Sequence, residues 1–123
     1  MLKEYKALLL SAGFGTRLRP ITNEIPKCLV EINKKPILHM WLDKLQNIEI
    51  NSVLINTHYL ANKVSESVNS WESKSLKVYT IYEQKLLGTA GTLIKNLDFF
   101  KGSRGLIVHS DNVTDDDLTE LIK

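Results

Sequence analysis

Cysteine is nearly absent from this sequence. Cys28 is the single cysteine among 123 residues, so no disulfide can form within the chain. The three histidines, His39, His58 and His109, have no metal-ligand spacing with it. We therefore expect a protein of the reducing cytoplasm, held together by its core and not by cross-links.

An excess of one charge is also missing. The 16 basic and 14 acidic residues give a formal net charge of +2 and are spread along the chain. Nucleic-acid binding needs a basic patch or stripe, so nucleic acid is not an expected partner. No apolar run is long enough to span a bilayer, and the apolar stretch before Gly13 is too short for a signal peptide. We expect no membrane partner either.

Short apolar segments alternate with amphipathic ones along the chain. The length suits one domain, residues 1–123. We predict strands over 6–10, 52–56, 76–82 and 105–110, with a short extended piece over 28–32. Helices are predicted over 37–48, after Pro36, and over 60–69, 88–97 and 115–122. This alternation predicts an α/β fold, a three-layer sandwich around a mostly parallel, Rossmann-like sheet.

Polar and glycine-rich segments follow the predicted strands. They cover residues 11–17, 57–59, 83–89 and 111–112. Each segment alone has a structural explanation, because glycines make turns and aspartates cap helices. In an open α/β sheet, however, the carboxyl ends of the strands are where a ligand binds. The coincidence of all four segments with these ends therefore favours a ligand site.

The first of these segments has the chemistry of a phosphate site. Leu18 stands five residues after Gly13, where the Gly-Lys-Ser/Thr group of a Walker A loop begins and where a Rossmann fingerprint has its third glycine, so both motifs are excluded. Gly13 and Gly15 nevertheless allow backbone N–H groups to approach an anion closely, and Arg17 adds a bidentate positive fork. Lys27 follows as a compact point charge. Bound phosphates are the expected ligand.

Five stretches in this order carry a resemblance: "LLLSAGFGTRLRPIT", "PKCLVEINKKPIL", "NTHYL", "LLGTAGTL" and "VHSDN". Together they resemble the sugar-phosphate nucleotidylyltransferase family, and the Gly88–Gly91 stretch after Glu83 is most similar to the mannose-1-phosphate guanylyltransferase branch. The resemblance implies the nucleotide-diphospho-sugar transferase fold. It also implies that a nucleoside triphosphate and a sugar 1-phosphate, most simply GTP and mannose 1-phosphate, become an NDP-sugar and pyrophosphate.

The resemblance further implies a role for each matching residue. Arg17 would grip the departing pyrophosphate, Lys27 would bridge the α-phosphate and the sugar phosphate, and Asp111 would hold Mg²⁺; these three are the catalytic candidates. Mg²⁺ is the implied cofactor, since it prefers carboxylate and phosphate oxygens. The implied nucleotide-binding residues are Ala12, Gly13, Gly15, Thr16, Arg17, Glu83, Gly88 and Thr89.

Catalytic domains of this family run well past the length of this chain. The resemblance therefore implies that residues 1–123 are a truncated, N-terminal nucleotide-binding half, without the second acidic metal ligand and most of the sugar pocket. We expect this half to bind nucleotide but to turn over poorly. An uncovered sheet edge would also favour a homo-oligomer.

Two other functions stay open at this point. One is a non-catalytic regulatory module of the same fold, although such modules typically lose the charges that Arg17, Lys27 and Asp111 retain. The other is a phosphocholine cytidylyltransferase, which shares the glycine loop and the Pro-Lys pair. Among single residues, we expect Cys28 and Trp41 to be core, and His58 either to touch substrate or to bond to the backbone of a loop.

Overall fold

The computed structural model describes residues 4–12, 24–73 and 75–109. Within them, the structure has six strands and four helices. The strands are β1 (Glu4–Leu10), β2 (Glu31–Ile32), β3 (Lys35–Pro36), β4 (Ser52–Thr57), β5 (Lys77–Tyr82) and β6 (Ser103–His109). The helices are α1 (Ile37–Asn47), α2 (Ala61–Ser70), α3 (Gly88–Lys95) and α4 (Leu97–Phe100), and a 3₁₀ turn covers Lys27–Leu29.

Four of the strands form one parallel sheet in the order β5-β4-β1-β6. Leu8 of β1 lies in register with Leu54 of β4 on one side and with Ile107 of β6 on the other. Every residue of β4 is buried, whereas most residues of β5 and β6 are exposed or partly buried, with Val108 as the buried exception. The nearly continuous apolar runs in β1 and β4 are therefore explained by their central places in a sheet that is covered on both faces.

Helices cover the two faces of this sheet. Helices α1 and α2 pack on one face, over a core of apolar side chains. On the other face, Phe99 of α4 meets Tyr79 edge-on, with ring centroids 6.1 Å apart, and its carbonyl accepts a hydrogen bond of 2.7 Å from Lys6 Nζ. The predicted three-layer α/β sandwich is thus confirmed. The buried core residues of the first face are Ala7, Leu9, Cys28, Ile37, Leu38, Trp41, Leu42, Leu45, Ile48, Ile50, Val53, Ile55, Val64, Leu76 and Val108.

Helix α1 shows how the pattern in the sequence becomes packing. Its apolar residues recur at three- and four-residue intervals, so that Leu38, Trp41, Leu42 and Leu45 all face the sheet and are buried. Trp41 is 6% exposed and Cys28 is 2% exposed. Both are core residues, as predicted.

The extended piece predicted over 28–32 is wrong in its first half. Lys27–Leu29 form a 3₁₀ turn, which is closed by a hydrogen bond of 2.9 Å from Leu29 N to Pro26 O. Glu31–Ile32 form a strand, and they pair with Lys35–Pro36 in a small antiparallel hairpin. Both residues of the connecting turn, Asn33 and Lys34, have positive φ, as a two-residue hairpin requires.

The single helix predicted over 88–97 is two helices. Asn96 leaves the helical conformation at φ −113° and ψ 23°, and its side chain donates a hydrogen bond of 2.8 Å to Thr92 O. This side-chain bond competes with helix continuation, so α3 ends at Lys95 and α4 begins at Leu97. The helix predicted over 115–122 and the last residue of the fourth predicted strand lie outside the described residues.

No helix within residues 4–12, 24–73 and 75–109 combines the length and the apolar character needed to cross a membrane.

Candidate functional site

The strand order reverses direction beside β1. From β1 the chain proceeds to β4 and then β5 on one side, after which it crosses to β6 on the other side. The carboxyl ends of β1 and β6 therefore flank the reversal, with Leu10 in register with His109. Ligands of open α/β sheets bind outside the carboxyl ends of the strands at such a point. The chain leaves β1 here through Ser11 and Ala12, which are 7% and 4% exposed, and continues to Gly13.

A buried polar cluster lies on the α3 side of this end of the sheet. We call Ser11, Asn56, Glu83 and Thr92 the Asn56 cluster. The backbone N of Ser11 donates to Asn56 Oδ1 at 2.6 Å, and Asn56 Nδ2 donates to Glu83 Oε1 at 3.3 Å. Thr92 Oγ1 donates to Glu83 Oε2 at 2.5 Å and lies 3.5 Å from Asn56 Nδ2. These contacts connect the ends of β1, β4 and β5 to α3.

Each member of the Asn56 cluster is placed by the element that carries it. Asn56 is the next-to-last residue of β4, on the opposite face from Ile55 and the α1–α2 core. Glu83 follows β5, and its backbone N extends the parallel ladder with a hydrogen bond of 2.7 Å to Thr57 O. Thr92 lies in the second turn of α3 and is fully buried.

The cluster holds a carboxyl group away from water. Glu83 is 4% exposed, and each of its two carboxyl oxygens accepts a hydrogen bond from a side chain of the protein. Burying such a group is costly unless it is hydrogen-bonded, and Asn56 and Thr92 supply these bonds. The structure thus places Glu83 at the carboxyl end of the sheet, where the sequence predicted a site, with its side chain engaged by protein donors.

Gly88 and Thr89 begin α3 on the same side of the sheet. Gly88 has φ +74°, in the left-handed region that favours glycine, and a Cβ added there would meet no atom within 4 Å. Thr89 is exposed in the first turn of the helix, where backbone N–H groups have no partner within the helix. The space next to Gly88 is open. Gly88 and Thr89 are on the same helix as Thr92, which connects them to the Asn56 cluster.

Lys27 lies on the 3₁₀ turn. The turn is anchored because Pro26 and Cys28, on either side of Lys27, are buried, and because Val30 N donates to Lys27 O at 3.2 Å. Lys63 of α2 also donates a hydrogen bond to the backbone carbonyl of Glu24. Lys27 therefore has a fixed backbone and a partly exposed side chain.

His58 is bonded to the backbone, which is one of its two predicted roles. Its Nδ1 donates to Glu83 O at 2.6 Å, and its ring stacks on Tyr82 with centroids 6.3 Å apart and planes 20° from parallel. His58 thereby holds the residue after β5 against the loop after β4.

The structure describes only some of the predicted site residues. Ala12, Glu83, Gly88 and Thr89 are at or beside the carboxyl ends of the strands, and Lys27 is on its turn. Gly13, Gly15, Thr16, Arg17 and Asp111 lie outside the described residues. Among the residues that are described, no group of three or more His, Cys, Asp or Glu side chains is arranged to hold a metal ion.

Asn56 and Thr92 are the site residues that the sequence did not reveal. The available signal for Asn56 was a polar amide directly after the apolar residues of β4. Its partners, however, are far away in the chain, and only the sheet register brings them together.

A second concave region is present elsewhere. The α1–α2 groove, of about 410 Å³, is lined by Lys35, His39, Asp43, Gln46, Asn47, Trp71 and Glu72. It extends toward the amino ends of the strands, because Asn47 ends α1 shortly before β4 begins. Burial alone would raise the pKa of Asp43, but hydrogen bonds from Lys35 and from Trp71 Nε1 outweigh it and hold that pKa below its ordinary value.

Comparison with known proteins identifies the family. The profile of the family described as "Nucleotidyl transferase" matches residues 6–123. This chain belongs to the nucleotidyl transferase family. A similar relative is the mannose-1-phosphate guanylyltransferase catalytic subunit beta of Dictyostelium discoideum. It is 37% identical over 120 residues, which cover 95% of this chain and 33% of the relative.

Solved structures of other proteins share the fold. HddC from Yersinia pseudotuberculosis, complexed with GMP-PN, is 27% identical with a TM-score of 0.82, over 96% of this chain and 52% of that one. CTP:phosphocholine cytidylyltransferase from Streptococcus pneumoniae is 26% identical with a TM-score of 0.78, over 94% and 48%. The predicted nucleotide-diphospho-sugar transferase fold is confirmed. The nucleotidyl transferase chain spans about a third of the length of the curated relatives that it matches.

Proposed function

We propose that this chain is the nucleotide-binding part of a nucleotidyltransferase. The enzyme makes an NDP-sugar and pyrophosphate from a nucleoside triphosphate and a sugar 1-phosphate, with GTP and mannose 1-phosphate as the favoured pair. The observation that supports this most is the position of Ser11 and Ala12. They lead from β1, at the reversal of the strand order, directly into the glycine- and arginine-containing segment that begins at Gly13.

The proposed chemistry is an in-line displacement at the α-phosphorus. An oxygen of the sugar phosphate attacks, a new P–O bond forms, and the bond to pyrophosphate breaks. The attacking phosphate is already ionised, so no general base is needed. The barrier arises from bringing two anions together, and positioned cations lower it.

The catalytic cations that we propose are Lys27 and Arg17. Lys27 suits a role between the α-phosphate and the sugar phosphate because its backbone is held by a closed turn. Arg17 is proposed to neutralise the departing pyrophosphate. The proposed nucleotide pocket is formed by Ala12, Gly13, Gly15, Thr16, Arg17, Glu83, Gly88 and Thr89.

A divalent metal fits this chemistry, and we propose Mg²⁺ with Asp111 as its protein ligand. Strand β6 ends at His109, two residues before Asp111, and His109 is in register with Leu10 at the end of β1. A carboxylate together with triphosphate oxygens is the donor set that Mg²⁺ prefers. The metal would supply neutralisation of phosphate charge.

A phosphocholine cytidylyltransferase is the second candidate, and the likeness to the Streptococcus pneumoniae enzyme supports it. The guanylyltransferase reading is favoured because the Dictyostelium relative has the higher identity, 37% against 26%. A regulatory module is the third reading, and the presence of Arg17, Lys27 and Asp111 argues against it. Cytoplasmic location and homo-oligomerisation stay predictions.

Ligand-induced stabilisation tests the proposal. The melting temperature is measured with GTP, CTP, UTP, dTTP and ATP, each with and without Mg²⁺, because a ligand present at about 100 times its Kd stabilises the native state by about 2.7 kcal/mol. We expect the largest rise with GTP and Mg²⁺. Pyrophosphate release by a longer chain that is competent for turnover, with GTP and mannose 1-phosphate against CTP and phosphocholine, then separates the two enzymatic readings. The absence of any shift with all five nucleotides would contradict the proposed function.

A further inference from the structure

The Asn56 cluster spans the two parts of the proposed nucleotide pocket. Ser11 immediately precedes the segment proposed to line the phosphates, whereas Glu83 and the start of α3 carry the other residues of the proposed nucleotide pocket. A nucleotide touches both parts at once. Its affinity therefore depends on the distance and angle between them, since preorganised sites avoid the cost of ordering on binding.

Asn56 is suited to fix this distance and angle because the oxygen and the nitrogen of its side-chain amide are both hydrogen-bonded. Oδ1 accepts from Ser11 N at 2.6 Å, and Nδ2 donates to Glu83 Oε1 at 3.3 Å. A side chain with only acceptors or only donors could not make both contacts. The residue is 4% exposed, so water does not readily replace either bond.

Glu83 continues the same chain of hydrogen bonds to α3. Its second carboxyl oxygen accepts from Thr92 Oγ1 at 2.5 Å, and Thr92 is fully buried. A Cβ on Gly91, the neighbour of Thr92, would make a tight contact of 3.0 Å with Leu87 Cβ at the start of the same helix. The start of α3 therefore favours glycine beside Thr92.

We propose that Asn56, with Glu83 and Thr92, is a positioning residue of the nucleotide site. It holds Ser11, at the end of β1, at a fixed distance from Glu83 and α3. In this inference, the carboxyl group of Glu83 shapes the pocket by accepting hydrogen bonds from Asn56 and Thr92. The inference rests on the proposed function, because it concerns the same site.

Exchanging the donor and the acceptor between residues 56 and 83 tests the inference. Asn56→Asp keeps the acceptor for Ser11 N but places a carboxylate oxygen where Nδ2 faces Glu83, so two acidic groups oppose each other in a buried place. Adding Glu83→Gln gives the amide to the other partner and restores one donor between them. Calorimetry measures the Kd for GTP with Mg²⁺ at a temperature far below the melting transition of every variant.

We expect Asn56→Asp to raise the Kd roughly tenfold, and the double variant Asn56→Asp/Glu83→Gln to recover most of that loss. Recovery is a result that general destabilisation does not produce. Asn51→Asp is the matched control. Asn51 Oδ1 accepts from Tyr5 N at 2.8 Å, which is the equivalent contact between β1 and the β4 segment at the opposite end of the sheet. This control should leave the Kd within about twofold of the wild-type value.

A second pair of variants applies if Asn56→Asp does not fold. Thr92→Val removes the hydroxyl that donates to Glu83, and Thr92→Ser keeps it. We expect the valine variant to bind GTP severalfold more weakly than the serine variant. If wild-type protein binds no nucleoside triphosphate, the proposed function itself fails. If wild-type protein binds but the double variant recovers nothing, or Thr92→Val binds as well as Thr92→Ser, the inference alone is overturned.

Discussion

Tyr5 and Asn51 exchange two hydrogen bonds at the amino end of the sheet. Tyr5 N donates to Asn51 Oδ1 at 2.8 Å, and Asn51 N donates to Tyr5 O at 2.8 Å. Asn51 O also accepts from Lys77 N at 3.1 Å, so one residue before β4 joins the starts of β1 and β5. At the other end of β4, Asn56 makes the corresponding connection beside the proposed nucleotide site. We therefore expect substitutions of the two asparagines to separate a contribution to stability from a contribution to binding.

The Asn51 contact should stabilise the fold without affecting the ligand. Asn51→Ala removes one side-chain acceptor from β1, and we expect a loss of about 1 kcal/mol in the free energy of unfolding. Urea titration at neutral pH measures it. The Kd for GTP should stay unchanged, and a change of more than about threefold would show that the two ends of the sheet are coupled.

The depressed pKa of Asp43 predicts a stability change in acid. A carboxyl group with a folded-state pKa below its ordinary value of 3.8 stabilises the native state above that pH. This contribution is lost as the pH falls through the folded-state pKa. We therefore expect the stability advantage of wild-type protein over Asp43→Asn to be present at pH 6 and to disappear in strong acid.

Melting temperatures across this pH range measure the effect of Asp43. The Lys35–Asp43 pair is partly exposed, with side chains 53% and 39% accessible, so salt should screen part of it. A difference between the two proteins that is the same at all pH values would show that the ion pair and hydrogen bonds of Asp43 do not stabilise the fold.

Two glycines with positive φ allow backbone strain and ligand binding to be separated. Gly88 has φ +74° and Gly102 has φ +76°, and a Cβ at either position would meet no atom within 4 Å. Alanine at each position should therefore cost about 1–2 kcal/mol through backbone strain alone. Only Gly88→Ala should also weaken GTP binding, since Gly102 precedes β6 at the amino end of the sheet. Equal GTP affinities in the two variants would place the nucleotide away from Gly88.

Lys27 is predicted to act in the chemical step. In a longer chain that is competent for turnover, Lys27→Ala should slow pyrophosphate release in a single turnover by roughly a hundred- to a thousandfold, the usual scale for the loss of one preorganised charge-stabilising group. Circular dichroism should be unchanged. Lys35→Ala, which removes a lysine from the nearby hairpin, is the control and should retain the wild-type rate. An unchanged rate in Lys27→Ala would remove this lysine from the mechanism.

The sequence predicted the helices and strands that follow from a local pattern of apolar residues. Helix α1 was foreseen because Leu38, Trp41 and Leu45 recur at helical spacing, and β4 was foreseen because it is an apolar run of strand length. The β2–β3 hairpin was missed because its turn is Asn33-Lys34, without the glycine that usually marks such turns.

The candidate site was predictable in its place but not in its connections. Glu83 and Gly88 were expected at the carboxyl ends of the strands, and they are there. The partners of Glu83 were not foreseen, because Asn56 and Thr92 belong to different elements and meet only through sheet register and helix packing. Such long-range pairs leave no periodic signal in one sequence.

The location of the nucleotide is the central claim, and hydrogen exchange measures it most directly. Amide exchange is followed by mass spectrometry with and without saturating GTP and Mg²⁺. We predict that GTP slows exchange in peptides covering residues 11–17 and 83–92, at the carboxyl ends of the strands. Exchange should not change at Asn51 or along the α1–α2 groove. Protection confined to that groove or to the amino ends of the strands would contradict the account.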